Sequence, residues 1–310
     1  MSVRPVRRAG ALFLGLAAAA PPLPAQAPAP RLQLEQVLAD STGFDVVATL
    51  VIGPRHVLLW DAQYHKADAE RVADAIARSG RRLQAIVLSH PDEDHQSGLA
   101  TVLERFPGTP VYLSRAGLQW FDSTAAARFQ ADRARYPGLF ADSLPRPAEW
   151  PSTRLELDGV ALELIPDLRG DIRVPTSTAL WIPESRTLLT GDIAFRGVHP
   201  WLGSSDSASR SAWRGSLRRL AALKPAVVVA GHKSSADLPD TPDVLDAMDR
   251  YLADFDSILA RAATPREMVE AMQARYPDLK VSGLLRFSVG MAFRARGQAG
   301  AAPGTSGNGS

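Results

Sequence analysis

The spacing of apolar positions predicts alternating strands and helices from about residue 44 onward. The segment FDVVATLVIGPRHVLLWD, residues 44–61, holds two β-rich runs separated by GPR, which predicts a hairpin that ends at Asp61. In KADAERVADAIARSG, the apolar residues between Ala69 and Ile76 share one helical face, and Gly80 ends the helix. The apolar run LQAIVL then predicts a strand that leads into SHPDEDHQSG.

The second half of the chain continues this alternation. Strands are predicted in TRLELDGVALELI, STALWIP, RTLLTGD and AVVVAGHK, with a helix through Trp213 before the last. Residues 242–277 predict two helices, the second beginning after Thr264-Pro265. Residues 116–150 mix aromatic residues with prolines and indicate either a helical insertion or a flap over a site. Because hairpins are frequent, we expect the α+β class, with mixed sheets covered by helices, and not a doubly wound parallel sheet.

The N-terminus has the pattern of an export signal. Arg4, Arg7 and Arg8 precede the apolar stretch ALFLGLAAAA, and small residues surround Ala25. The stretch is short for a bilayer span, so we expect no stable membrane insertion after signal removal; an N-terminal membrane anchor is the alternative. The protein is therefore predicted to be exported, to the periplasm or the medium, and Arg7-Arg8 raises the twin-arginine route.

Length, composition and charge narrow the partners and the chemistry. The chain of 310 residues is expected to hold a signal peptide over 1–27, one domain over 28–296 and a disordered Gly-, Ala- and Ser-rich tail over 297–310. It has no cysteine, which excludes thiolate catalysis and Cys-ligated zinc. Residues 1–25 hold three arginines and no acid, so without them the formal net charge of +2 becomes about −1. No dense Lys/Arg block remains, so no nucleic-acid partner is predicted.

Residues of the types that bind metals follow the ends of three predicted strands. They are His90, Asp92, Asp94 and His95 after LQAIVL, Asp192 in LLTGD, and His232 in VVVAGH. Strand ends can meet at one sheet edge, where rigid strands fix side chains and loops admit a substrate. Imidazole nitrogen and carboxylate oxygen are zinc ligands, and one carboxylate can bridge two cations. The alternatives are an acidic loop at 89–98, an ordinary turn at Asp192 and a backbone-bonded histidine at His232.

This order of residues resembles the signature of the metallo-β-lactamase fold superfamily, which is H-x-H-x-D-H, then a lone His, a bridging Asp and a last His. The first block here reads His90-Pro-Asp92-Glu-Asp94-His95, the bridging Asp matches Asp192 and the last His matches His232. The resemblance spans about residues 35–290. It implies a four-layer αβ/βα sandwich of two mixed β-sheets flanked by helices, with metals at one sheet edge. The bridging aspartate resembles the glyoxalase II branch more than true lactamases.

Two departures from that signature fall on the same half of the implied site. Asp92 replaces the second histidine, and Asp171 after Gly170 is carried over in place of the third, with Arg173 as the less attractive alternative. The resemblance then implies one cation on His90, Asp92, Asp171 and Asp192, and a second on Asp94, His95, Asp192 and His232. Two divalent ions are expected, with zinc first; the carboxylate-rich half also suits iron or manganese. A single occupied site follows if Asp171 points away.

The resemblance implies a metal-dependent hydrolase, in which a metal-activated hydroxide attacks a small ester, thioester, lactone or related acyl substrate. Asp94 is expected to orient the hydroxide, and Asp61 either to accept a hydrogen bond from a ligand imidazole or to serve as a turn residue. His199 and Trp201, in FRGVHPWLG, are expected to contact substrate; a plain loop histidine is the alternative. Flavodiiron proteins also carry a carboxylate at the position of Asp92, so a non-haem di-iron redox protein is a second hypothesis. A non-catalytic metal-binding relative is the third, and the oligomeric state is not predicted.

Overall fold

The protein is described by a computed structural model that covers Met1, residues 31–172 and residues 174–300. The predicted export signal (1–27, apart from Met1) and Arg173 lie outside the described residues, so the signal and the exported location stay predictions. Among the helices that the structure describes, none is both long and apolar enough to cross a membrane.

Six strands form the first sheet, in the order of the sequence. They are β1 (Gln33–Leu38), β2 (Val47–Ile52), β3 (His56–Trp60), β4 (Arg82–Val87), β5 (Val111–Leu113) and β6 (Ala148–Glu149). β1, β2 and β3 pair antiparallel, whereas β3 to β6 pair parallel. The predicted hairpin over 44–61 is thereby confirmed, and its second strand ends one residue before Asp61.

A second, five-stranded sheet follows in the chain. Its strands are β7 (Arg154–Leu157), β8 (Val160–Leu168), β9 (Ser177–Ile182), β10 (Thr187–Leu189) and β12 (Val227–Val229), in the spatial order β12-β10-β9-β8-β7. The pairing is antiparallel except between β10 and β12, which run parallel. Two short strands, β11 (Phe195–Arg196) and β13 (His232–Lys233), pair parallel beside it. Both main sheets are therefore mixed, as expected.

Helices connect and cover the sheets. They are α1 (Lys66–Ser79), α2 (Glu93–Gln96), α3 (Leu99–Arg105), α4 (Arg115–Arg135), α5 (Ser207–Ala221), α6 (Asp243–Arg261), α7 (Pro265–Arg275) and α8 (Ser282–Gly300). Gly80 ends α1 in the left-handed conformation, with φ of +64°, as the sequence predicts. Thr264 caps α7 by accepting a hydrogen bond from the Glu267 backbone nitrogen, and Pro265 occupies the first helical position.

The last helix, α8, continues to Gly300, so it includes the first four residues of the segment 297–310 that the sequence predicts as a tail. This helix buries Leu285 and Val289 completely, so tertiary packing holds its beginning. Once a helix is held there, each further residue adds a hydrogen bond at little additional entropic loss. Residues 301–310 lie outside the described part of the chain.

Three layers of apolar side chains separate four layers of secondary structure. Alternate residues of β2 show the arrangement: Ala48 and Leu50 face α1 and α3, whereas Val47 and Val51 face the second sheet. Burial on both faces explains why such strands are mostly apolar. A third cluster around Trp213 packs the second sheet against α5 to α8. The expected αβ/βα sandwich is confirmed.

A polar contact joins the β2–β3 turn of the first sheet to the β7–β8 turn of the second. Asp158 (φ +52°) and Gly159 (φ +92°) form the two-residue turn between β7 and β8. The Asp158 carboxylate accepts hydrogen bonds from the backbone nitrogens of Arg55 at 2.8 Å and His56 at 2.9 Å, in the β2–β3 turn. Its other oxygen lies 2.7 Å from His56 Nδ1. Although burial raises the pKa of Asp158, these hydrogen bonds hold it well below its usual value.

We expect Asp158→Asn to lower the free energy of unfolding by about 1–3 kcal/mol, since the amide keeps the turn but loses a charged acceptor. A carboxyl whose folded-state pKa is lowered stabilises the fold above its unfolded pKa of about 3.9 and loses that effect as the pH falls. The difference between the two proteins should therefore shrink below about pH 4. Urea denaturation at several pH values measures it. Asp74→Asn is the control, because Asp74 is exposed and pairs with the exposed Arg105; equal losses in both variants would contradict this account.

Candidate metal centre

Strands of both sheets end at one edge, and the residues after them form the candidate centre. His90 follows β4 of the first sheet, Asp192 lies in a 3-10 turn after β10, and His232 begins β13 after β12. The backbone joins the sheets here, because Thr178 N donates to Ser89 O at 2.8 Å. The strand-end juxtaposition expected from the sequence is thus present.

Glycines before the acidic and imidazole residues allow the segments to approach each other. A Cβ atom added at Gly231 would lie 2.6 Å from Asp192 Oδ1, and one at Gly170 would lie 3.1 Å from Asp192 O. Gly191 has a φ of +51°, and its added Cβ would lie 2.5 Å from Ser89 Cβ. The three Gly-Asp and Gly-His pairs in the sequence therefore reflect close backbone approach as well as turn formation.

The carboxylate of Asp192 lies at the middle of the cluster. Its Oδ1 is 2.9 Å from His95 Nε2, and its Oδ2 is 3.0 Å from His232 Nε2 and 3.9 Å from His90 Nε2. Burial raises the pKa of Asp192, but His232, His95 and His90 outweigh it and hold the pKa well below its usual value. This carboxylate is therefore ionised and has the position of a bridge.

Two groups of ligand-type atoms share Asp192. One group comprises Asp94, His95, Asp192 and His232, and the other comprises His90, Asp171 and Asp192. Within each group the ligand atoms lie within 4.8 Å of one another. Apart from Asp92, the structure brings together every residue that the sequence had assigned to the two cations.

The donor atoms fit bound cations. Among the described residues, His90 Nε2, Asp171 Oδ1 and Asp192 Oδ1 are buried and have no hydrogen-bond partner, apart from the 2.9 Å contact of Asp192 Oδ1 with His95 Nε2. Burial and the neighbouring Asp192 raise the pKa of Asp171 well above its usual value. Buried polar atoms without partners are costly, and a divalent cation among these three would satisfy all of them. Asp171 points into the cluster, whereas the alternative ligand, Arg173, lies outside the described residues.

The Asp92 carboxylate has one oxygen near His90 of the cluster and the other near the guanidinium of Arg128. Its Oδ2 lies 3.9 Å from His90 Nε2, but its Oδ1 lies 3.2 Å from Arg128 Nη1. Arg128, on α4, also pairs through Nε with Glu93 Oε1. Asp92 does not join the His90–Asp171–Asp192 group, so its ligand role stays a prediction.

Hydrogen bonds orient two of the imidazoles. His95 Nδ1 lies 3.0 Å from Asp61 Oδ2, and His232 Nδ1 lies 2.6 Å from Phe44 O. An ionised carboxylate and a carbonyl only accept, so each Nδ1 donates and each Nε2 is turned toward Asp192. Asp61 is fully buried and also accepts from Ser89 N at 2.7 Å. It thus makes the imidazole contact considered for it from the sequence.

Asp94 is the most open carboxylate of its group. Its side chain is 18% exposed, against 4% for Asp192, and its Oδ2 lies 3.5 Å from His232 Nε2. Burial raises the pKa of Asp94, although His95 and His232 act in the opposite direction. One oxygen can therefore face the cluster while the carboxyl group remains accessible from outside.

A cavity of about 370 Å³ opens above the cluster and is lined by acidic and aromatic side chains. Trp201 lines it, as expected, but His199 does not. His199 is 1% exposed, and its Nδ1 lies 2.9 Å from Tyr251 Oη on α6. Burial lowers the pKa of His199 to about 4. The backbone nitrogen of His199 bonds to Lys280 O and its ring turns into the core, so the structure does not bring His199 to the cavity and its substrate contact stays a prediction.

Sequence reasoning missed several residues of the cavity, among them Phe44, Tyr64 and Arg128. Phe44 and Tyr64 come from loops beside β2 and β3, and Arg128 comes from the middle of α4. The aromatic, proline-rich composition of 116–150 was the only signal for α4, and nothing in it marks Arg128. Arg128 reaches the site because α4 packs against α2.

Comparisons with known proteins agree with this geometry. The family model described as the metallo-beta-lactamase superfamily matches residues 41–232. The fold is similar to that of a metallo-beta-lactamase family protein from Thermus thermophilus, with a TM-score of 0.60 and 18% identity over 86% of this chain and 94% of that one. It is also similar to a metallo-beta-lactamase from Pontibacter korlensis, with a TM-score of 0.55 and 16% identity over 72% of this chain and 100% of that one.

A curated relative shares a shorter stretch. Coenzyme F420H(2) oxidase of Methanocaldococcus jannaschii is 31% identical over 77 residues, which is 23% of this chain. The chain spans only 18% of the length of that relative. The similarity is therefore local.

We expect Asp61→Asn to weaken binding of a divalent cation by about 10–100-fold, the usual effect of losing a hydrogen-bond partner of a ligand imidazole. In either orientation, the NH2 group of the new amide faces another N–H donor, which is His95 Nδ1 in one orientation and Ser89 N in the other. The clash at His95 is relieved if the ring proton moves from Nδ1 to Nε2, but Nε2 is the atom that faces the cluster. Competition with a chromophoric chelator measures the affinity, with Asp74→Asn as the control. Wild-type affinity in a folded Asp61→Asn protein would refute this role.

Proposed function

Because the chain belongs to the metallo-beta-lactamase superfamily, we propose that it is a dinuclear metallohydrolase acting on a small acyl substrate, such as an ester, thioester or lactone. Superfamily membership supports a metal-dependent, hydrolase type of function. The observation that carries the finer proposal is the single buried carboxylate, Asp192, shared by two groups of ligand atoms. Such a shared carboxylate is suited to holding two like-charged ions close together.

Each half of the cluster would hold one cation. The first would bind to His90, Asp171 and Asp192, with Asp92 in reach, and the second to Asp94, His95, Asp192 and His232. Bound divalent ions would lower the pKa of a water toward about 7 and polarise a substrate carbonyl. We propose zinc first, with iron or manganese as the alternatives that the carboxylate-rich half favours.

The protein residues supply orientation and proton handling. Asp94, the most open carboxylate of its group, can accept a hydrogen bond from the attacking water and so direct its lone pair toward the substrate. Asp61 and the Phe44 carbonyl hold the two imidazoles in one tautomer, so they need no reorganisation during turnover. Trp201 lies on the cavity wall where the substrate would enter. The N-terminal signal pattern supports the further proposal that the enzyme acts outside the cytoplasm.

A second candidate is a non-haem di-iron redox protein on the same scaffold. Two observations favour it: the local similarity to coenzyme F420H(2) oxidase and the carboxylate at Asp92 in place of an imidazole. Oxygen ligands suit iron better than an all-imidazole set does. The hydrolase is preferred because superfamily membership rests on most of the chain, whereas the oxidase similarity covers 23% of it.

Elemental analysis of the protein, purified without added metal, separates these candidates. We expect about two equivalents of zinc per chain, falling to about one in Asp171→Asn and below one in Asp192→Asn, since Asp192 serves both ions. Two equivalents of iron, together with oxygen consumption and no ester hydrolysis, would instead establish the redox alternative. No bound metal in any preparation, including after incubation with zinc, would refute both.

Activity should depend on the shared carboxylate. We expect Asp192→Asn and His232→Gln each to reduce kcat/KM for p-nitrophenyl butyrate by more than about 100-fold. Loss of a group that only orients a ligand costs up to about 100-fold, and loss of a ligand itself should cost more. Asp74→Asn, with its change on the exposed surface, should retain wild-type kcat/KM. Initial rates of p-nitrophenolate release measure the effect. Undiminished hydrolysis in folded Asp192→Asn would rule out the proposed centre.

A further inference from the structure

The cavity above the centre has a strongly acidic lining. Six carboxyl side chains face it, together with one guanidinium, Arg128, and one imidazole, His232, among the described residues. The six are Asp92, Glu93, Asp94, Asp132, Asp171 and Asp192. Bound cations would be held by the carboxyl groups and the imidazole of this lining, which leaves Arg128 as the other cationic side chain among its described residues. An anionic substrate would therefore depend on this one guanidinium and would lie among acidic side chains.

The one guanidinium that the described residues contribute to this lining already forms ion pairs within the protein. Arg128 Nη1 lies 3.2 Å from Asp92 Oδ1, and Arg128 Nε pairs with Glu93 Oε1. The two acidic side chains are only 11% and 12% exposed. Guanidinium forks are the usual ligands for carboxylate and phosphate groups. Here an anionic substrate would have to share Arg128 with two carboxylates that already pair with it and would lie beside both of them.

The cavity lining also includes apolar side chains. Phe44, Phe195, Trp201 and Leu284 are among them, and the Trp201 ring stacks on Phe287 with centroids 4.9 Å apart. Phe287 is 48% exposed, so the aromatic surface continues out of the cavity. Exposed, adjoining aromatic surface beside a site is typical of a binding surface for apolar groups.

Phe44 is held in place by the centre itself. Its backbone adopts the left-handed conformation, with φ of +62°, which is unfavourable for a bulky side chain. Its carbonyl oxygen accepts the hydrogen bond from His232 Nδ1, and its ring is 36% exposed at the cavity. The same residue thus fixes a metal-ligand candidate and presents an aromatic ring to the substrate.

We propose that the acyl group bound by this cavity is uncharged and apolar, an alkyl or aryl chain, and that acyl substrates bearing a carboxylate are disfavoured. This inference rests on the proposed hydrolase function. The acyl chain lies along Trp201 and Phe287, and the scissile carbonyl carbon faces the water that Asp94 orients.

Two esters with four-carbon acyl groups test the charge. p-Nitrophenyl butyrate is neutral, and the mono-p-nitrophenyl ester of succinic acid carries one carboxylate at the end of its chain. With the zinc-loaded protein, kcat/KM should be at least about 10-fold higher for the butyrate, and it should rise from acetate to butyrate to hexanoate by a few-fold or more at each step. Equal or greater kcat/KM for the succinate ester would overturn the inference while leaving the hydrolase function intact.

Two variants with matched controls connect the preference to these residues. Glu93→Gln removes one partner of Arg128 and should raise succinate turnover relative to butyrate by about 3–10-fold, because the freed guanidinium can meet the carboxylate. Glu104→Gln, which removes an exposed acid from α3, should leave the ratio unchanged. Phe287→Ala should reduce the advantage of hexanoate over acetate, whereas Leu223→Ala, at another exposed apolar residue, should not. Identical ratios in the Glu93 and Glu104 variants would overturn the assignment to Arg128.

Binding measurements test the preference for uncharged acyl groups even if the protein hydrolyses neither ester. If the zinc-loaded protein hydrolyses neither ester, the proposed function fails, and the preference is then measured by calorimetry with two stable amides, butyranilide and succinanilic acid. Tighter binding of the neutral butyranilide supports the inference. Tighter binding of the anionic succinanilic acid overturns it.

Discussion

Burial of one ionised carboxylate is the constraint that organises this protein. Asp192 lies almost out of contact with solvent, where an isolated charge would be very unfavourable. Three imidazoles surround it, and glycines at 170, 191 and 231 let the backbone approach closely enough for them to do so. Among the described residues, the neighbouring buried atoms His90 Nε2 and Asp171 Oδ1 have no hydrogen-bond partner, which makes the same cluster a receptor for cations.

The apolar layer between the sheets determines the geometry of that cluster. His90 and His95 follow a strand of the first sheet, whereas Asp192 and His232 follow strands of the second, so their separation depends on how the sheets pack. Contacts such as Val51 against the second sheet therefore contribute to the site as well as to stability. Close packing transmits small changes of volume, because the interior has few voids to absorb them.

The two halves of the centre differ chemically. One half offers two imidazoles and two carboxylates, whereas the other offers His90 with Asp171, Asp192 and a shared Asp92. Pairing of Asp92 and Glu93 with Arg128 makes α4 part of the acidic wall. The aromatic part of the cavity lining meets the imidazole-rich half at Phe195, whose ring stacks on His232 with centroids 4.7 Å apart. The two departures from the family signature, Asp92 and Asp171, thus both lie in the carboxylate-rich half, and Asp92 also contacts α4 at the edge of the cavity.

Local signals in the sequence determined the class of fold, the order of its elements and most of the cluster. The hairpin over 44–61, the end of α1 at Gly80 and the cap at Thr264 depend on neighbouring residues alone, so they could be predicted. The placement of ligand-type residues at strand ends was equally visible. Only the tertiary structure decided that Arg128 reaches Asp92, that His199 turns into the core and that residues 297–300 are helical. These outcomes depend on packing between segments far apart in the chain, and a local sequence pattern does not predict how such packing orients a side chain.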